Sequence, residues 1–141
     1  MRVFVFFWLM VAAAGSVAQE VYVDPKDPAF RAKYENIDLA GKFSALVLSD
    51  DQNNYYIADF TQLEGKFEKV WFLNLVFKGD KVVNIDPDIR QKRVWFLAVK
   101  TIPEKTVNEY LLSLKEKTLK ASATYSEQEK SEWLQKNDKY K

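Results

Sequence analysis

The chain has 141 residues and nearly balanced charge, 21 Lys plus Arg against 20 Asp plus Glu, with neither histidine nor cysteine. Those two absences exclude His-based triads, thiol nucleophiles, Cys/His zinc sites and His- or Cys-ligated haem, while the charge balance gives no pull toward nucleic acid or anionic lipid. At 48% hydrophobic and 15% aromatic the chain is rich in packing residues, so a non-enzymatic protein without a cofactor is the leading expectation.

Residues 1–18 have the pattern of a cleaved secretory signal: Arg2, an apolar run from Val3 to Ala14, and the small-x-small triplet Ser16-Val17-Ala18. The run is short of the ~20 residues that a spanning helix needs, which favours cleavage before Gln19 over a retained anchor and predicts no stable membrane insertion afterwards. Acylation at the cut would need a cysteine. The expected product is exported, to the periplasm or beyond, and without disulfides its stability must come from packing.

Residues 19–41 read as an extended arm with a short helix, and residues 42–141 as a single domain. Asp24-Pro25 and Asp27-Pro28 break regular structure near the start of the arm. Ala29 to Asn36 allows a short helix with Phe30 and Tyr34 on one side. From Lys42 the pattern turns to strands: Phe43, Ala45 and Val47 alternate with Ser44, Leu46 and Leu48. The polar run Ser49 to Asn54 forms a turn, and Tyr55 to Phe60 supplies the next strand.

Val70 to Phe77 is too apolar for a one-sided strand, and Gly79-Asp80 is a favoured two-residue turn, so a hairpin returning over Lys81 to Asp86 is predicted. Its register would place Val70, Phe72, Val76, Val83 and Ile85 on one face, the expected main core. Trp71, Leu73, Leu75, Phe77, Val82, Asn84 and Asp86 would share the other, which turns polar toward one end. Val94 to Val99 gives a further strand. It repeats the Val-Trp-Phe-Leu of 70–73 at 94–97, but the flanks differ, so two central strands wanting the same bulky filling explain the match better than duplication.

Two helix starts follow, Thr101 with Glu104 and Ser126 with Glu129, each spaced as a capping box. In the first helix, Pro103 to Ala121, a stripe of Val107, Tyr110, Leu111, Leu114, Thr118 and Ala121 should face the core, while Leu112 and Leu119 lie off it and imply a second contact. The second, Glu127 to Lys136, has only Trp133 and Leu134 as anchors. The lysines from Lys100 onward are nearly cancelled by Glu104, Glu109, Glu116, Glu127, Glu129 and Glu132, the pattern of a solvated face.

Candidate chemistry is sparse. Asp86 and Asp88, with Asp80 and Asn84, offer oxygen ligands of the kind calcium takes, though in no EF-hand spacing; an ordinary turn explains them better. Arg90, Lys92 and Arg93 could grip an anion through the guanidinium fork, although neutralisation by the adjacent aspartates is simpler. Tyr55 and Tyr56 beside Asp50-Asp51-Gln52-Asn53-Asn54 have the composition of a recognition loop, and equally that of a turn. The candidate binding residues are therefore Tyr55, Tyr56, Asp86, Asp88 and Arg90, with no catalytic residue and no metal ligand assigned.

Across Asn36 to Asp50, Gly41-Lys42-Phe43 resembles the Gly-x-Trp opening strand of lipocalins, with Phe43 in the tryptophan's place. That resemblance implies a ligand cavity in a barrel of eight strands, more than this chain supplies.

The expected fold is α+β, with about five mostly antiparallel strands, one long helix packed on the sheet and a short helix after it. The second sheet face would carry too much apolar surface to stay wet. The arm, the last helix, curling of the sheet or a homodimer through the sheet would cover it. The expected function is binding of a protein or envelope component, with a carrier of a small hydrophobic ligand or a carboxylate-dependent hydrolase as alternatives.

Overall fold

A computed structural model describes residues 27–85 and 88–139. Among these residues the fold is α+β: a four-stranded antiparallel sheet and four helices, one of them a long helix after the sheet. The elements are α1 (Pro28–Ala32), β1 (Ser44–Ser49), β2 (Asn53–Asp59), a single 3-10 turn (Phe60–Gln62), α2 (Lys66–Lys78), β3 (Val83–Asn84), β4 (Arg93–Val99), α3 (Glu104–Thr124) and α4 (Glu127–Asn137). The sheet order is β1-β2-β4-β3, with Tyr56 paired to Phe96 at its centre and a bulge in β1 between Leu46 and Leu48.

The largest departure from expectation is α2. The segment read as the first strand of a hairpin is a helix, and this removes the fifth strand. Phe67, Val70, Phe72, Leu73 and Val76 are all buried. Phe72 stacks edge-on against Phe43, Phe60 and Phe96 of the sheet side, while Trp71 packs on Tyr125 and Trp133 from the other direction. A helix enclosed on both sides is apolar nearly all round, so it shows no 3.6-residue period to separate it from a buried strand. Gly79 does not turn a hairpin either. It ends the helix, donating its N–H to the carbonyls of Leu75 and Val76. The residues after it pair with β4, Val83 to Leu97 and Asn84 to Phe96, and Val83 is exposed rather than part of the core.

One sheet face carries the main core. Tyr56, Ala58, Val94, Phe96 and Ala98 meet Phe72 and Val76 of α2 and Val107, Leu111 and Leu114 of α3. The long helix therefore shares this face with α2 instead of crossing it alone. Its core stripe falls where the sequence put it, with Val107, Leu111, Leu114 and Thr118 buried. Its start does not, because Pro103 occupies the cap position without a side-chain bond and Ile102 N–H is taken by Val99 O. The Ser126–Glu129 capping box does form, with both reciprocal bonds.

The opposite face is covered in part by residues 28–39. The helix there is shorter than expected, ending at Ala32 after an N-cap from Asp27. Phe30 and Tyr34 nonetheless stack on each other and on Trp95, and Arg93 holds this segment by donating to the carbonyls of Ile37 (2.8 Å) and Tyr34 (3.4 Å). Leu39, Ile57 and Trp95 form the buried centre of this second core. The four strands leave two free edges and make no lipocalin barrel among the described residues.

Candidate binding cleft

The residues singled out by sequence do not assemble into one site. Tyr55 and Tyr56 are neighbours on β2 and so point to opposite faces. Tyr56 is fully buried in the main core, where burial pushes its phenol above the ordinary value. Tyr55 lies on the other face and donates its hydroxyl to Asp50 Oδ2 at 2.7 Å. Asp50 also accepts the N–H groups of Gln52 and Asn53. The Tyr55 bond first, then these turn bonds, hold its carboxyl below the usual range. Residues 50–52 are thus a self-satisfied turn, and β2 begins at Asn53, two residues earlier than the sequence suggested, with Asn54 paired to Ser49.

Asp86 lies outside the described residues. Asp88 and Arg90 close on each other in a fork, Nε to Oδ1 at 2.9 Å and Nη2 to Oδ2 at 3.0 Å, and the Arg90 guanidinium lowers the Asp88 pKa. Asn84 donates its amide to Trp95 O. Among the described residues no group of three or more acidic side chains is placed to hold a metal ion.

A different place has the form of a site. A cleft of about 520 Å³ lies between the turn that enters β1, the 3-10 turn and the first half of α3. The turn is built by two consecutive left-handed residues, Ala40 (φ 56°) and Gly41 (φ 80°). Asp38 Oδ1 accepts Ala40 N–H, and Lys42 N–H returns to Leu39 O. This geometry delivers Phe43 into the core, where it is 4% exposed, with the cleft against it.

The walls are fixed by hydrogen bonds. Ser44 Oγ donates to Asn108 Oδ1 at 2.7 Å, tying β1 to α3. Gln62 bridges the other side, donating to Lys42 O at 3.2 Å and accepting Lys115 Nζ at 2.6 Å. Lys115 also sits 5.5 Å from the centre of the Phe43 ring, a cation–π distance. Leu112, 41% exposed, supplies apolar surface from α3.

Three lysines, Lys42, Lys105 and Lys115, and two glutamates, Glu104 and Glu109, line the cleft, with Lys105 paired to Glu109 at 3.6 Å. The ammonium of Lys115 meets an amide oxygen and a ring, both neutral partners, so a cationic group faces an apolar floor. Sequence reasoning missed this site because Lys105, Asn108, Leu112 and Lys115 recur as a single helical stripe, indistinguishable from a solvated face. The one signal was Leu112, an apolar residue off the core stripe.

No family model, no curated protein and no solved structure matches this chain.

Proposed function

We propose that this chain is an exported, non-enzymatic binding module of the cell envelope whose cleft takes a small amphipathic anion, an apolar body ending in a carboxylate or phosphate. The cleft itself carries this reading. Phe43 and Leu112 offer an apolar floor, and Lys115 stands over that floor with a neutral amide as its hydrogen-bond partner. Its size lies within the usual range of small-ligand sites. A non-catalytic role is supported by Asp50 and Asp88, which are engaged by their own turns, and by Ser44, whose hydroxyl points at an amide oxygen, not at a base. Export rests on the pattern of residues 1–18, and a product mass beginning at Gln19 checks it.

Titrating the protein with decanoate, read by amide chemical shifts, tests the cleft. Saturable shifts are expected at Phe43, Ser44, Asn108 and Leu112, at least fivefold weaker binding is expected for decanol, and a comparable loss for Lys115→Glu. Shifts that fail to saturate, or equal affinity for decanol and decanoate, overturn the reading.

A further inference from the structure

We propose that the groove between α2 and α4 is a second binding site and takes a pyranose that bears a carboxylate, the uronic-acid unit of an acidic polysaccharide. The groove has a volume of about 230 Å³, less than the ~300 Å³ at which sites for drug-sized ligands begin and enough for one sugar ring. It shares no lining residue with the cleft at Phe43.

Two parallel segments build it. Glu68 meets Lys130 at 3.4 Å, Trp71 meets Trp133 at 5.0 Å between ring centroids, and Phe77 meets Lys139 at 5.0 Å from ring centre to ammonium. The partners of each pair are the same distance apart in sequence, so α2 and the chain through α4 run side by side in one direction. On α2, Trp71, Asn74 and Lys78 recur at i, i+3 and i+7 and share a face. The other wall answers with Trp133 and Asn137 at i and i+4, and with Lys139 just past the helix end. Like groups therefore come together in three layers, indoles, then amides, then ammoniums, over about 10 Å of helix rise.

Each layer selects one part of the ligand. Trp71 and Trp133, both half-buried, supply apolar surface whose negative π faces attract the polarised C–H groups of a sugar ring. Asn137 donates its Nδ2 to Trp133 O at 2.8 Å, which fixes the amide and leaves Oδ1 to accept. Asn74 adds a second amide, with no side-chain hydrogen bond among the described residues. An amide oxygen needs a donor, which a carboxylate lacks and a hydroxyl has.

The ammonium layer asks for an anion. No acidic side chain lines the groove, and neither Lys78 nor Lys139 makes an ion pair among the described residues. Asp138, next to Lys139 in sequence, is held by Lys66 at 2.7 Å. A carboxylate at this end gains charge-assisted bonds from two unneutralised lysines. A fatty or aromatic acid would suit the indoles and the lysines but bring no donor to the amide oxygens, and a neutral sugar would leave the lysines without an opposite charge. The acidic pyranose satisfies all three layers.

The experiment titrates the full chain with methyl β-glucuronide, methyl β-glucoside and cyclohexanecarboxylate, read by backbone and side-chain amide chemical shifts. The glucuronide should give saturable shifts at Asn74, Phe77 and Asn137, and each of the other two should bind at least fivefold more weakly. Lys78→Gln with Lys139→Gln, both exposed positions, should bring the glucuronide down to the affinity of the glucoside. Asn74→Leu should erase its advantage over cyclohexanecarboxylate. Amide shifts of β2 and β4 that stay in place in both variants show that the fold is intact. Equal binding of the glucuronide and either control overturns the proposal. So do shifts confined to Phe43, Ser44 and Asn108, which would put the sugar in the first cleft, and an absence of saturable shifts.

Discussion

Lys130 Nζ of α4 stands 3.4 Å from Oε2 of Glu68 on α2, and the same oxygen accepts the Ser122 hydroxyl of α3. One carboxylate, 8% exposed, thereby joins three helices. Burial by itself would raise its pKa; the Ser122 bond, its own backbone N–H and Lys130 outweigh burial and lower it from the ordinary 4.5.

The sign of the pH effect follows. A carboxyl whose folded pKa lies below its unfolded value contributes stability that is present above the unfolded value and is lost as pH falls through the folded one. Glu68→Gln should cost about 1 kcal/mol at pH 7, the difference between a charged and a neutral hydrogen bond. In urea titrations that difference should shrink as pH falls below the ordinary carboxylate value and be lost as it passes through the lowered folded-state value. A constant difference between the two proteins from pH 7 to 3 would assign the effect to shape, not to charge.

Trp133 is the aromatic anchor of α4, beside the Lys130–Glu68 pair. The helix has 11 residues and buries none of them, too short to stand alone in water. Trp133 meets Phe67 at 5.2 Å and Trp71 at 5.0 Å between ring centroids. Trp133→Ala should cost about 3 kcal/mol and release α4 first. Amides of 127–137 would lose hydrogen-exchange protection while those of β2 and β4 keep theirs.

The contrast between α3 and α2 shows what the sequence could reveal. Val107, Leu111, Leu114 and Thr118 stand out because their neighbours Glu104, Lys105 and Glu116 face water. Trp71 of α2 faces α4 instead and Leu75 packs against the main core, so Val70 to Phe77, interrupted only by Asn74, reads as one apolar run. Periodicity records the boundary between core and solvent, and an element without that boundary is silent. Gly79-Asp80 then completed the illusion, since a glycine that ends a helix and one that turns a hairpin look alike. The cleft was hidden for the reverse reason: Lys105, Asn108 and Lys115 are polar residues on a helix that also has a solvated side, and only the turn at Ala40-Gly41, remote in sequence, converts them into a wall.

Gly79 has an ordinary backbone, φ −87°, so its role lies in what stands beside it. A Cβ there would fall on the Tyr110 hydroxyl. Gly79→Ala should cost about 1 kcal/mol through that overlap. In a Tyr110→Phe background the oxygen is gone, and the same substitution should become neutral or stabilising by roughly 0.5 kcal/mol through lower unfolded-state entropy. Thermal denaturation of the four proteins gives the coupling directly; additive effects would mean that the Tyr110 hydroxyl is not the obstacle.

Gly41 presents the opposite case, since a Cβ there would meet nothing within 4 Å but φ is +80°. Gly41→Ala therefore isolates backbone strain, roughly 1–2 kcal/mol for an L-residue held in the left-handed region, less about 0.5 kcal/mol regained from a stiffer unfolded chain. Ala40, at φ 56°, already bears that strain, so Ala40→Gly should change stability by under about 1 kcal/mol because strain relief and added chain entropy oppose each other. The two substitutions sit side by side and differ in sign of strain, so a turn that truly holds this shape must respond to them unequally. Because the turn sets Lys42 and Phe43 in the lining of the cleft, Gly41→Ala should also weaken decanoate binding, whereas Ala40→Gly should leave it within about twofold. Equal stability losses for both variants in urea titrations would refute the left-handed turn.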